Sequence, residues 1–268
     1  MIHAIQRLPF LNQFSNTTSI LKNIMSKADL HIHTTYSIDG TASVHEALES
    51  AVRAGLDVIA ITDHDEVRGS LEARAISAEY GIQVIPGAEV STSEGHLVVL
   101  FIENNIPSGM SLIETLICVR EMGGMAIAAH PDHPTINSIS LQSLLKALEH
   151  PQAREALHGI EVCNMNPTHS PFNQRSQKAA ATLPLAQIAS SDAHIASMIG
   201  AGVTHFEGST VWDLRRAIQR RATQPEQVNH ELPLRIFIRW LGLYARRKIN
   251  KVFFKEEKTQ RYKTGTAD

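Results

Sequence analysis

The sequence predicts an α/β barrel whose functional site lies at the C-terminal ends of its strands, followed by a helical tail. Three observations carry this reading. Short apolar runs suited to strands alternate with helical periodicities over residues 28–221, which implies parallel strands joined by helices. Polar, ligand-type residues follow most of those runs. An open doubly wound sheet concentrates function at one switch point, whereas here strands from the first to the last contribute, which favours a ring.

The first strand, 28–32, alternates apolar and polar residues and places His31 and His33 on one side, because successive side chains of a strand point to opposite faces. Asp39 follows eight residues after His31, and Gly40 suits a tight turn that returns the carboxylate to the strand end. Two imidazoles and a carboxylate converging this way point to a metal; taken alone, the H-x-H pair fits a pair of hydrogen-bonded core histidines equally well. Residues 43–54 form a helix with a Ser43/Glu46 capping box and Gly55 as its stop. The apolar run 58–61 then delivers Thr62, Asp63, His64 and Asp65. Asp63 and Asp65 can orient an imidazole or stabilise the turn.

The pattern continues with a helix at 70–80 stopped by Gly81, a short strand at 83–85, and Pro86, Gly87 and Ala88 leading to Glu89. A strand at 96–101 opens on His96, and a helix at 111–122 carries the capping pair Ser111 and Glu114. The run 125–129 leads into His130 and Pro131. A helix at 140–149, a strand at 159–162 and a helix at 173–181 follow, then the buried strand 185–189 ends in Ser190, Ser191, Asp192, Ala193 and His194. The last helix of the barrel covers about 210–221. His45, His150 and His158 lie on helices or their ends and read as structural.

Composition narrows the chemistry. A chain of 268 residues with 43% hydrophobic and 19% charged residues can bury one full barrel core. No run approaches the roughly 18 apolar residues of a membrane span, and residues 1–24 lack the charged, apolar and small-residue order of a signal peptide; the expected location is cytoplasmic. Cys118 and Cys163 are the only cysteines, too few for a disulfide framework or a thiolate zinc site, so a metal here is held by imidazole and carboxylate. Charge is divided unevenly. Residues 235–263 carry ten Lys or Arg against Glu256 and Glu257, while residues 1–234 carry fifteen basic and twenty-four acidic side chains. The acidic body argues against a broad nucleic-acid groove on it.

The motifs DLHIHT with SIDG, ITDHD, PGAE, EGH, AHP and SSDAH, in this order, resemble the signature motifs of the PHP (polymerase and histidinol phosphatase) family, over about residues 28–221, most of the chain. The resemblance implies a distorted (β/α)7, TIM-like barrel holding two or three divalent transition metals and hydrolysing a phosphomonoester by metal-activated water. It implies that His31, His33, Glu89 and Asp192 hold one metal and Asp39, His64 and His194 a second. Glu89 bridges to a third, completed by His96 and His130. In this reading Glu89, Asp39 and His64 are the catalytic positions. Nine nitrogen and oxygen donors suit Zn, Mn or Fe. Asp39 stands where some members carry His, which changes the charge of that subsite.

His133, His169 and Arg175 lie where a phosphate clamp or proton donor could stand, the alternative being solvated loop residues. The expected substrate is a nucleotide, an oligonucleotide end or a small phosphorylated metabolite. A non-catalytic, metal-bound regulatory PHP module is the alternative, which the full ligand set argues against. An amidohydrolase-type barrel is a further one, but no Lys follows a strand where it would bridge two metals. The expected division is an N-terminal extension at 1–26, the barrel domain at 27–224 and a basic amphipathic tail at 225–268. In the tail, Ile236, Phe237, Trp240, Leu241 and Tyr244 recur near helical spacing. The stripe is expected to pack on the barrel with its cations solvated, with an acidic membrane or RNA as the other partners it fits.

Overall fold

The structure, a computed structural model, describes residues 25–134, 137–228 and 233–264. The expected extension at 1–26 lies outside the described residues except for Met25 and Ser26, which begin the first strand. In chain order the elements are β1 (Met25–Ile32), α1 (Val44–Arg53), β2 (Val58–Ile61), α2 (Arg68–Tyr80), β3 (Gln83–Thr92), β4 (Gly95–Leu100), α3 (Leu112–Glu121) and β5 (Met125–Ala128). They continue with α4 (Leu141–Glu149), β6 (Leu157–Asn164), α5 (Asn173–Ala180), β7 (Ala186–Ser190), β8 (Gly202–Glu207), α6 (Val211–Gln219), β9 (Gln224–Gln227) and α7 (Pro233–Thr264).

One sheet runs β7-β6-β5-β4-β3-β2-β1-β8-β9 and curls until it nearly closes. The Thr204 hydroxyl of β8 donates to the Ala189 carbonyl at 2.8 Å, and a bridge joins Ile32 to Ala193. Leu30, Val58, Ala60, Ile85, Val98 and Ile127 fill the inside, while alternate residues such as Ile32, Ile59 and Ile61 pack under α1 and α2. Strands buried on both faces need such continuous apolar runs, and the capping boxes of α1 and α3 are both formed.

Two departures from an all-parallel ring bear on the site. β4 runs antiparallel to both β3 and β5, because the short link at Ser93 and Glu94 permits only a hairpin. His96, at the beginning of β4, therefore arrives at the same rim as the ends of the parallel strands. β8 and β9 have no counterpart among the expected elements; β8 pairs antiparallel with β1 and β9 with β8. The sheet thus extends to Gln227 before the tail helix begins.

The turn after β1 needs its glycine for a different reason from the expected one. Gly40 is not among the residues with a left-handed backbone; instead, a Cβ there would collide with the Thr34 carbonyl oxygen. The loop folds back on itself, with Thr35 N–H donating to Ala42 O at 2.8 Å and Thr41 N–H to His194 O at 3.0 Å. α7 closes over this loop. Ile236 is buried, the Trp240 indole N–H donates to Asp39 O at 3.0 Å, and the Arg247 guanidinium donates to the carbonyls of Thr35 at 2.7 Å and Ser37 at 2.9 Å and to that of Gly40.

Gly40→Ala should therefore destabilise the fold by about 1–3 kcal/mol through steric overpacking of the loop. A lowered midpoint in chemical denaturation checks this; an unchanged midpoint would mean that the loop shifts without cost.

Candidate metal centre

The rim of the barrel gathers polar side chains because the parallel strands end there and the antiparallel β4 begins there. His31 projects from β1 and His33 from the residue just after it, with their rings 5.0 Å apart and both buried. His31 Nδ1 lies 2.9 Å from Glu161 Oε1; a carboxylate only accepts, so Nδ1 carries the proton. His33 Nδ1 lies 3.1 Å from the Ser37 hydroxyl, which donates onward to Asp63 Oδ1 at 2.8 Å. His33 is thus also protonated on Nδ1. Both Nε2 lone pairs are turned inward and face each other at 3.1 Å.

Carboxylates meet them there. Glu89 Oε2 lies 3.2 Å from His31 Nε2 and 3.3 Å from His33 Nε2, and Asp192 Oδ1 lies 3.6 and 3.2 Å from the same two atoms. Acceptors without hydrogens between them repel unless a cation or added protons intervene. Donors held at about 2.0–2.1 Å around a tetrahedral cation are about 3.4 Å apart, close to the spacings found here. The donor set fits a divalent cation.

Glu89 is the hub. Its Oε2 is 3.0 Å from His64 Nδ1, and its Oε1 is 2.9 Å from His96 Nδ1 and 3.2 Å from His130 Nε2. Burial disfavours its charge, but His31, His96 and His64 outweigh burial and hold its pKa well below the ordinary value. Burial likewise opposes a charged His31, yet Asp192, Glu89 and Glu161 raise its pKa well above the usual one. At the mouth, Asp39 Oδ2 lies 3.4 Å from His64 Nε2 and 3.1 Å from His194 Nε2. Among the described residues, Asp39 Oδ1 and the Nδ1 atoms of His130 and His169 are buried without a hydrogen-bond partner, and His64 Nδ1 has only its ion-pair approach to Glu89, further lone pairs or N–H groups available to a ligand.

All nine residues expected to hold metal thus come together, in three overlapping clusters and a fourth beside them. His31, His33 and Glu89 form one; His33, Asp39, His64 and His194 a second; His64, Glu89 and His96 a third. The fourth differs from expectation, since His130 groups with His169 and Asp192. The His169 ring stacks on His130 at 4.0 Å with an interplanar angle of 4°. Burial, with the neighbouring His130 charge, pushes its pKa down to about 3. Of the other two residues considered for substrate, His133 braces this loop through a 2.9 Å hydrogen bond to Thr168 O. Arg175 is half-exposed and faces Asp132 at 3.7 Å, so it stays outside the pocket wall.

The surroundings show what strand periodicity alone does not reveal. Glu161, buried on β6, accepts from the Ser190 hydroxyl, from His130 N–H at 2.8 Å and from Asn164 Nδ2 at 2.9 Å while it fixes His31. The signal for it was an acidic residue inside an apolar strand, since carboxylates are almost never fully buried unpaired. Asp63 turns out to stabilise the turn, accepting from Thr34 N–H at 2.7 Å and Ser37 N–H at 3.0 Å, and reaches His33 only through Ser37. Asp65 accepts from Ser91 N–H at 2.8 Å. His130 and Asp192 have positive φ, 30° and 48°, backbone strain of the kind that concentrates at functional sites.

A cavity of about 260 Å³ opens over Asp39, His64, Glu89 and His194. Asn166, Thr168 and His169 line one side, and Ile195, Met198, Ile236, Phe237 and Trp240 make an apolar wall opposite.

Comparison with known proteins shows what the chain is similar to. The model of the PHP domain matches residues 29–162, and that of the PHP-associated region matches residues 171–223. An uncharacterized protein of Methanocaldococcus jannaschii is 34% identical over 163 residues, 57% of this chain and 95% of that protein. A 5'-3' exoribonuclease of Haemophilus influenzae is 37% identical over 105 residues, and the chain spans only 38% of its length. Among solved structures, a two-domain protein of Bacteroides vulgatus containing a predicted PHP-like metal-dependent phosphoesterase has a TM-score of 0.62 at 21% identity, covering 81% of this chain and 70% of that one. With the PHP-domain match across half of its length and the PHP-associated match after it, the chain belongs to the PHP family.

Proposed function

We propose that the protein hydrolyses a phosphomonoester with water as the nucleophile, in a centre of two or three divalent transition metals, Zn, Mn or Fe. The observation that carries the reading is the convergence of inward-facing lone pairs of His31 and His33 with Glu89 and Asp192 beneath an open cavity. His31, His33, Glu89 and Asp192 would hold one cation, Asp39, His64 and His194 a second, and Glu89, His96 and His130 a third. Bound cations supply Lewis acidity, which activates water at neutral pH and neutralises charge on the ester oxygens.

The chain's own residues do the rest. Glu161 and the Ser37–Asp63 pair keep the two β1 imidazoles in one tautomer, so that their lone pairs stay aimed at the site. Glu89 lies between the clusters and sets their spacing. Asp39 and His64, partly open to the cavity, border the space where an ester would enter. Cys163 does not compete as nucleophile: burial pushes its thiol up to about 11, leaving little of the reactive thiolate. His169, with Asn166 and Thr168, offers polar contacts for the phosphoryl oxygens.

The cavity lies just below the roughly 300–1,000 Å³ of small-molecule pockets, which suits a single phosphorylated unit, either free or at the end of a strand. The wall of Trp240, Phe237 and Ile236 favours an alcohol with a planar or apolar body. A nucleotide or oligonucleotide end meets both conditions, and the likeness to the exoribonuclease supports it. This reading places the chemistry in the barrel domain, whose sheet runs past the expected limit of 224 to Gln227, with α7 of the tail serving as a wall.

Purified protein should carry about two or more equivalents of transition metal by elemental analysis, and Glu161→Ala should weaken metal affinity roughly 10–100-fold in a chelator competition. Glu89→Gln keeps the shape but removes the charge; phosphomonoester turnover should fall at least about a hundredfold with an unchanged circular dichroism spectrum. Single turnover of the wild type in heavy-oxygen water should label the released phosphate, and label confined to the alcohol would exclude attack at phosphorus. Phe237→Ala should raise KM several-fold for a nucleoside monophosphate and leave KM for glycerol phosphate nearly unchanged. Equal effects on both substrates would remove the apolar wall from substrate recognition.

A further inference from the structure

Helix α7 has two apolar faces, and only one of them is used by the fold. The inner face carries Ile236, 5% exposed among core residues of the barrel, and Trp240, bonded to Asp39 O. Arg239 donates to the Ser197 hydroxyl at 3.0 Å, and Arg247 anchors the loop at 35–40. On the opposite side, Leu234, Ile238 and Leu241 are 69%, 60% and 50% exposed, and Ile249 is 53% exposed. Their spacing of i, i+4 and i+7, with Ile249 at i+15, draws one stripe along a helix of 3.6 residues per turn, and exposed Ala245 continues it.

Charge decides what such a stripe fits. Arg235, Arg246 and Lys248 beside it are exposed, and no acidic residue occurs from Pro233 to Lys255. A second copy pairing through this face would bring two cationic helices together. A nucleic acid would engage the cations but has no use for exposed Leu and Ile. An anionic lipid surface satisfies both, accepting the aliphatic side chains at the acyl boundary and the cations at the headgroups. Among the described residues no helix is long and apolar enough to cross a membrane, so the contact is interfacial.

We infer that α7 docks the protein on anionic lipid through Leu234, Ile238 and Leu241, flanked by Arg235, Arg246 and Lys248. The docked helix keeps its inner face on the barrel, and because that face also walls the cavity, the pocket mouth is held beside the lipid surface. The contact does not depend on which phosphoester is cleaved.

The test is co-sedimentation of the full chain with vesicles of phosphatidylcholine alone or of phosphatidylcholine with phosphatidylglycerol. Binding is expected only to the anionic vesicles and should weaken as salt rises. Leu234→Gln with Ile238→Gln and Leu241→Gln, all exposed, should lower binding at least about tenfold while leaving the melting temperature and metal content unchanged. Arg235→Gln with Arg246→Gln should weaken binding and flatten its salt dependence. The proposal is overturned if the wild type does not bind anionic vesicles, or if the triple variant binds as well as the wild type. It is equally overturned if sedimentation velocity shows a dimer that the triple variant dissolves, or if the chain binds a single-stranded RNA but no vesicle.

Discussion

A buried glutamate surrounded by five imidazoles is the interaction on which the rest of the structure depends. Glu89 could not stay ionised in an apolar interior without opposite charge nearby, and its neighbours come from β1, β4 and the ends of β2 and β5. The barrel must close to within a few ångströms for these to meet. A second layer depends on the first: Glu161 aligns His31, and Ser37 aligns His33 while itself being fixed by Asp63. This second layer fixes Nδ1 of His31 and His33 and leaves both Nε2 atoms facing the centre, an arrangement suited to a cation.

This arrangement needs a firm scaffold. Residues in sparsely populated backbone regions cost of order 1–3 kcal/mol each, and Asp65, His130 and Asp192 all have positive φ. They are held because the strands leading to them are buried on both faces, as Ile59, Ile61, Ile127 and Ala189 show. The hairpin of β3 and β4 adds to this. By reversing direction it brings His96 opposite Ser91, two residues from Glu89, where a parallel strand of the same length would present its other end.

α7 joins the site to the outside of the molecule. Its Trp240 bonds the backbone of Asp39, and its Arg247 collects the carbonyls of the loop that carries Asp39. The position of a residue at the mouth therefore depends on a helix that lies outside the sheet. The expected packing of the apolar stripe holds for Ile236 and Trp240, whereas Phe237 stays 42% exposed at the cavity and Leu241 belongs to the exposed face. A helix with apolar residues on both sides shows a weak single-face pattern in sequence, and only the docked structure separates the two.

By itself the sequence determined the kind of protein and the kind of site. Alternation in β1 puts His31 and His33 on one side, apolar runs ending in polar residues place a rim of donors, and two cysteines leave the metal to imidazole and carboxylate; these are local properties of composition and period. Tertiary structure decided what depends on distance along the chain. Glu161 reaches His31 across 130 positions, His169 stacks on His130 through a loop of no regular period, and Arg175 turns to Asp132 and away from the pocket. Gly40 is required by the approach of Thr34 and not by its own backbone angle. Period assigns a residue to a face, but closure and register of the sheet determine which faces meet.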